Sequence, residues 1–141
     1  MQLTLPFPPS ANRIWRSVCI RGKPRVLLSR QGREFRETVA ATLAGKLPPT
    51  AMGRLAVSID AYPPDRRRRD LDNLQKAILD SLQAAGVYLD DAQIDVLQIR
   101  RCPPEPGGKV VVHLEPTNVC PSTILSNGRR TTASPALSQS T

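Results

Sequence analysis

The 141-residue chain is expected to fold as one α+β domain, a small mixed β-sheet backed by two α-helices in the order β-α-β-α-β-β, with a tail behind it. Three observations predict this. Some segments carry an apolar residue at every second position, two others repeat at every third or fourth, and the composition changes after Pro116. The length allows one domain with a real core and little more.

Leu3 to Phe7 alternates apolar and polar residues and runs into Pro8-Pro9, whose missing N–H groups end ladder pairing, so it reads as the first strand. From Ile14 to Arg25 the chain is basic and irregular. Gly22 and Pro24 mark an exposed loop or hairpin there, suited to phosphate. Ser29 can cap a helix in which Phe35, Val39 and Leu43 recur four apart, with Gly45 as its stop before Pro48-Pro49. A second strand covers Leu55 to Tyr62, where Leu55, Val57 and Ile59 alternate with Ala56, Ser58 and Asp60, and Pro63-Pro64 closes it.

The second helix runs from about Asn73 to Ala85 on a stripe of Leu74, Ala77, Ile78, Leu82 and Ala85, ending at Gly86. Ile94 to Arg101 and Lys109 to Glu115 read as the two strands of a hairpin, joined through Pro103, Pro104, Pro106 and Gly107-Gly108. The domain thus spans residues 1–116. Thr117 to Thr141 is rich in Ser, Thr, Pro and Asn and has too little apolar periodicity to offset its ordering entropy. It is expected to be a disordered tail, with Arg129 and Arg130 solvated.

Lys and Arg outnumber Asp and Glu 20 to 12, a net charge of +8 that favours a polyanionic partner. Nucleic acid is the usual one. An anionic membrane surface fits less well, because no apolar run approaches the ~20 residues of a spanning helix and no strongly amphipathic basic helix is present. Prolines occupy the N-terminus where a signal peptide needs an apolar stretch, so a soluble, cytoplasmic protein is expected. Cys19, Cys102 and Cys120 are odd in number and widely spaced, which suits free thiols. His113 is the sole histidine and sits in an alternating run without a second imidazole or thiol nearby; a structural role is expected.

The chemistry concentrates in Asp65-Arg66-Arg67-Arg68-Arg69-Asp70-Leu71-Asp72-Asn73, four arginines against carboxylates two apart, directly before a helix. In extended chain, side chains at i and i+2 share a side, so Asp70 and Asp72 can converge if the backbone stays extended through Asp72. Mg²⁺ takes one or two carboxylates plus waters and phosphate oxygens, and such sites serve phosphodiester hydrolysis. The arginines would draw in the backbone and offset its repulsion by the carboxylates. Lys76, four residues after Asp72, can reach the same place. A structural reading stands beside this one: Asp72 as helix cap, Asp70 as a charge at the positive helix end, Lys76 as half of an i, i+4 pair.

A second acidic pair, Asp90-Asp91, precedes a strand, where turn aspartates are ordinary. Helical rise puts Gly86 ~20 Å beyond Asp72, and five extended residues span at most about 17 Å. Asp91 therefore meets Asp70 and Asp72 within one subunit only if the chain doubles back tightly. Otherwise a dimer partner must supply it.

Three blocks, Pro6-Phe7-Pro8-Pro9-Ser10-Ala11-Asn12-Arg13, Asp65 through Ala77, and Leu89-Asp90-Asp91-Ala92-Gln93, closely resemble the RusA-type Holliday junction resolvases, crossover junction endodeoxyribonucleases of bacteria and their prophages. The resemblance covers roughly Leu3 to Pro116. It implies that Asp70, Asp72 and Asp91 are metal-binding catalytic carboxylates, that Lys76 is needed for cleavage, and that Asp90 and Asn73 assist. Arg66, Arg67, Arg68, Arg69 and Arg13 are the expected DNA contacts. The resemblance further implies a homodimer that binds four-way junction DNA and nicks two opposing strands symmetrically with Mg²⁺ or Mn²⁺, in recombination and repair. The tail after Pro116 departs from the family's usual extent. The rival function is a non-catalytic basic protein that binds nucleic acid, its aspartates all caps and salt-bridge partners.

Overall fold

A computed structural model describes residues 1–117. The elements are β1 (Gln2–Pro6), α1 (Ala11–Ile14), β2 (Trp15–Ile20), β3 (Lys23–Leu28), α2 (Arg30–Leu43), β4 (Leu55–Tyr62), α3 (Leu71–Ala84), a 3-10 turn (Asp91–Gln93), β5 (Ile94–Arg101) and β6 (Lys109–Pro116). A four-stranded mixed sheet with two long helices bears out the α+β expectation. The tail from residue 118 lies outside the described residues. Thr117, the last of them, is buried, and its N–H donates to Arg54 O at 2.9 Å.

The alternation read from β4 decides the layering. Leu55, Val57, Ile59 and Ala61 are buried on one face, in register with Val110, Val112 and Leu114 of β6, which in turn face Leu3 and Leu5 of β1. The stripe Leu74, Ala77, Ile78 and Leu82 of α3 and the row Phe35, Val39 and Leu43 of α2 complete one core against that face. Ser29 caps α2 as expected, its Oγ accepting from Gly32 N at 3.1 Å. Gly45 and Gly86, both with positive φ, end the two long helices.

The expected β5–β6 hairpin is not formed. The sheet order is β1-β6-β4-β5, with β5 parallel to β4 and β6 antiparallel to it, so β4 lies between the two. The apolar β4 is one of the two interior strands, with β6, and satisfies its backbone on both edges. Residues 102–108 cross its end, Cys102 N donating to Ala61 O at 2.8 Å and Glu105 N to Pro63 O at 2.9 Å. Seven residues reach up to ~23 Å, ample for the ~10 Å between strands two apart.

The region from Ile14 to Arg25 resolves as a true hairpin. β2 and β3 pair antiparallel as a separate two-stranded sheet, turning at Arg21 and Gly22, both with positive φ. Arg16, Arg21, Lys23 and Arg25 are exposed along it. The hairpin is rooted where Ser29 N donates to Ile14 O at 2.7 Å and the Ser29 hydroxyl donates to Arg13 O. Gly32 is required at this root: a Cβ there would stand 2.8 Å from Ile14 O and 2.7 Å from Leu28 Cδ1. A backbone oxygen cannot rotate away. Gly32→Ala is expected to destabilise the fold by about 1–3 kcal/mol, read as a lower urea midpoint at unchanged m-value.

Candidate active site

The loop from β4 to α3 holds its arginines in two different ways. Asp65 organises it, accepting from Arg67 N at 2.9 Å and from both Arg69 terminal nitrogens at 2.6 and 3.1 Å. The Arg69 fork, and then the Arg67 amide, hold the Asp65 carboxyl down at about 2, so the clamp stays ionised until strongly acid pH. Arg69 also lies over the Phe7 ring, 5.5 Å from its centre, and Arg101 donates to Arg69 O. Arg69 is thus tied into the loop, whereas Arg66, Arg67 and Arg68 are exposed. Arg13 joins Arg67, Arg68 and Arg69 around one groove beside Pro8 and Gly107.

Helix α3 begins at Leu71, two residues earlier than expected, and this changes the geometry of the acidic pair. Asp70 is extended (φ −90°, ψ 134°), but Asp72 already lies in the first helical turn, so the condition of extended backbone through Asp72 is not met. The cap position is Asp70, not Asp72. Yet the Asp70 side chain makes no capping hydrogen bond. Neither carboxylate has an ion pair among the described residues, despite the adjoining arginines, and both are exposed. Asp70 and Asn73 line one cavity of about 290 Å³ with Pro8, Ser10, Arg68, Arg69 and Leu74. Lys76, exposed one turn beyond Asp72, places its ammonium 4.9 Å from the centre of the Trp15 ring.

Asp91 sits elsewhere along α3. The Tyr88 hydroxyl lies 2.7 Å from Asp91 Oδ1 and 2.9 Å from Leu79 O, its single proton shared between them. Burial, and then the Asp91 carboxylate, raise the Tyr88 pKa, so the phenol remains a donor. Leu79 is nine residues past Asp70, ~13 Å of helical rise. The chain therefore doubles back onto the second half of α3, short of its carboxylate-bearing start. Among the described residues, no three of the Asp, Glu, His or Cys side chains are gathered to hold one metal ion. Asp90 caps the 3-10 turn, accepting from Ala92 N at 2.8 Å, while Gln93 Oε1 accepts from Asp90 N at 3.0 Å.

Asp80 is the residue that sequence reasoning misses. It lies two turns beyond Asp72 and one beyond Lys76, on the same helical face. Its pKa is raised by burial first and by the charge of Asp91 second, with Lys76 and Arg36 acting against them. A signal exists in the spacing Asp72, Lys76, Asp80, four residues apart each time. His113 belongs to another cluster, its Nε2 3.7 Å from an Asp60 carboxylate that Arg100 already forks at 2.8 and 3.0 Å. Cys19 and Cys102 are free thiols.

The donor set fits a hard divalent cation in part. Asp70 and Asp72 offer carboxylate oxygens, exposed and without protein partners, at a helix N-terminus beside cationic side chains, which suits Mg²⁺ with waters and phosphate oxygens completing its shell. The third carboxylate is displaced along α3.

Residues 6–115 match the family model described as endodeoxyribonuclease RusA. Over 109 residues, 77% of this chain and 88% of the relative, the sequence is 39% identical to the crossover junction endodeoxyribonuclease rusA of Enterobacteria phage 82. At the same coverage it is 38% identical to the crossover junction endodeoxyribonucleases RusA of Escherichia coli (strain K12) and Shigella sonnei (strain Ss046).

Proposed function

The chain belongs to the endodeoxyribonuclease RusA family, and on that premise we propose that it resolves Holliday junctions, cutting four-way DNA as a homodimer by Mg²⁺-dependent phosphodiester hydrolysis. The observation that carries this is the state of Asp70 and Asp72. Asp60, Asp65 and Asp95 are paired with arginines and Asp90 caps a turn, but these two carboxylates are left without protein partners at the edge of an arginine loop. Beyond their favourable place at the positive end of α3, two charges that make no ion pair and no capping hydrogen bond would repel DNA in a protein that only binds it.

Asp70 and Asp72 are the residues that would hold Mg²⁺, with Mn²⁺ as a substitute. When bound, the ion supplies a nucleophilic water near neutral pH and draws charge from the scissile phosphate. Lys76, one turn beyond Asp72 on α3, would offset charge developing on the phosphate and the departing oxygen. Arg66, Arg67, Arg68 and Arg13 grip the backbone, while Arg69 keeps the loop in shape and Asn73 lines the cavity next to Asp70.

A second copy completes the site. With Asp91 bonded to the Tyr88 hydroxyl that also meets Leu79 O, ~13 Å of helical rise beyond Asp70, two chains related by a two-fold axis, their α3 helices antiparallel, would set Asp91 of each against Asp70 and Asp72 of the other. Such a pair presents two equivalent centres to two strands of like polarity, as symmetric nicking requires. The protein would act in the cytoplasm, at the nucleoid when bound to DNA.

A synthetic four-way junction, with linear duplex and fork controls, provides the test. Paired, symmetric nicks in Mg²⁺, abolished by EDTA and absent from duplex, are expected. A gel shift of the junction without any nick would leave only the binding function.

A further inference from the structure

Lys76 is exposed, and among the described residues its ammonium has no hydrogen bond or ion pair. A lysine left to itself samples many rotamers, and a charge that wanders is a poor electrostatic catalyst. The Trp15 ring meets it at 4.9 Å, and the Asp80 carboxylate one turn further along α3 also acts on its charge. An indole face draws a cation through its quadrupole and is the strongest of the aromatic side chains in doing so.

Trp15 is itself a fixed platform. It opens β2 directly after α1, pairs in register with Leu28, and packs its half-buried ring against the core. The preceding carbonyl, Ile14 O, accepts from Ser29 N, and Gly32 lets α2 close on that same oxygen. Three elements thus set where the ring stands. In a helix the Lys76 stem leans toward the N-terminus, that is, toward Asp72 and Asp70.

We propose that Trp15 is a positioning residue for Lys76, its indole face holding the ammonium beside Asp70 and Asp72 so that the charge is already in place when a phosphate arrives. This rests on Lys76 serving the cleavage site as proposed.

Trp15 is the single tryptophan of the chain, so fluorinated tryptophans incorporated during expression alter this ring alone. Stepwise fluorination keeps the ring's shape and drains its quadrupole. Single-turnover cleavage of a four-way junction in Mg²⁺ is expected to slow with each added fluorine, several-fold at three, while the junction Kd and the Tm stay constant. Trp15→Leu should lose about tenfold in rate and Trp15→Phe no more than about threefold. Without DNA, Lys76→Met should shift the Trp15 emission. A rate indifferent to fluorination, or an emission unmoved by Lys76→Met, overturns the proposal. An inactive Lys76→Met beside a fully active Trp15→Leu overturns it alone, whereas full cleavage by Lys76→Met removes the role of Lys76 on which it rests.

Discussion

Asp70→Asn is expected to abolish junction cleavage, by roughly 10³-fold or more, while leaving binding intact or severalfold tighter. The substitution swaps one carboxylate oxygen for an amide nitrogen and removes the charge a divalent ion needs. It leaves the helix start alone, because asparagine is as good a cap residue as aspartate and Asp70 makes no capping bond to lose. Removing a negative charge next to the DNA backbone relieves repulsion, which is why affinity should not fall. Single-turnover cleavage in Mg²⁺, with gel shifts in Ca²⁺, separates the two quantities. A variant that neither binds nor cuts would mark Asp70 as a structural residue.

The second large effect is a gain rather than a loss. Asp70→Asn and Asp91→Asn are each expected to be inactive as homodimers. Co-expressed with two different tags and purified as a mixed pair, they should recover cleavage. If Asp91 of one copy joins Asp70 of the other, one centre of the mixed pair holds both substitutions and its companion holds neither. That companion should nick one strand of the junction at about half the rate of a wild-type pair, leaving the opposing strand uncut. Sites built within single chains would leave every mixed pair inert, so the sign of the result decides between the two arrangements.

Much of the fold is legible in the amino-acid sequence alone. The 3.6-residue stripe of Leu74, Ala77, Ile78 and Leu82, and the strict alternation from Leu55 to Tyr62, are local signals, and the elements form where those signals lie. The partner of a strand is not a local property. Two strands seven residues apart suggest a hairpin, but the demand of β4 for hydrogen bonds on both edges separates them. Four-residue α1 is too short to show a period at all. The boundary of α3 shifts by two residues, a small error with a large geometric effect, because it moves Asp72 from extended chain into a helix.

At the candidate site, residue types are readable and their engagements are not. Asp65, Asp70, Asp72 and Asp90 look alike in sequence, and only three-dimensional pairing shows that Arg69 occupies the first, a turn occupies the last, and the middle two are unengaged. Asp80 belongs to no close acidic pair along the chain, and its companion Asp91 comes from beyond the end of the helix. The aromatic neighbour of Lys76 is sixty-one positions away, beyond the reach of any spacing argument.

Helix α3 is pinned at its middle by side chains with almost no exposure, Ile78 and Leu82 among them, and this carries a biological corollary. A rod held so firmly does not bend to draw its start toward the turn that carries Asp91, so if the centres are shared a solitary molecule would stay disarmed. Under the shared-centre reading, nuclease competence becomes second order in protein: dilute copies would drift along chromosomal DNA harmlessly, and only the encounter of two would arm the blade.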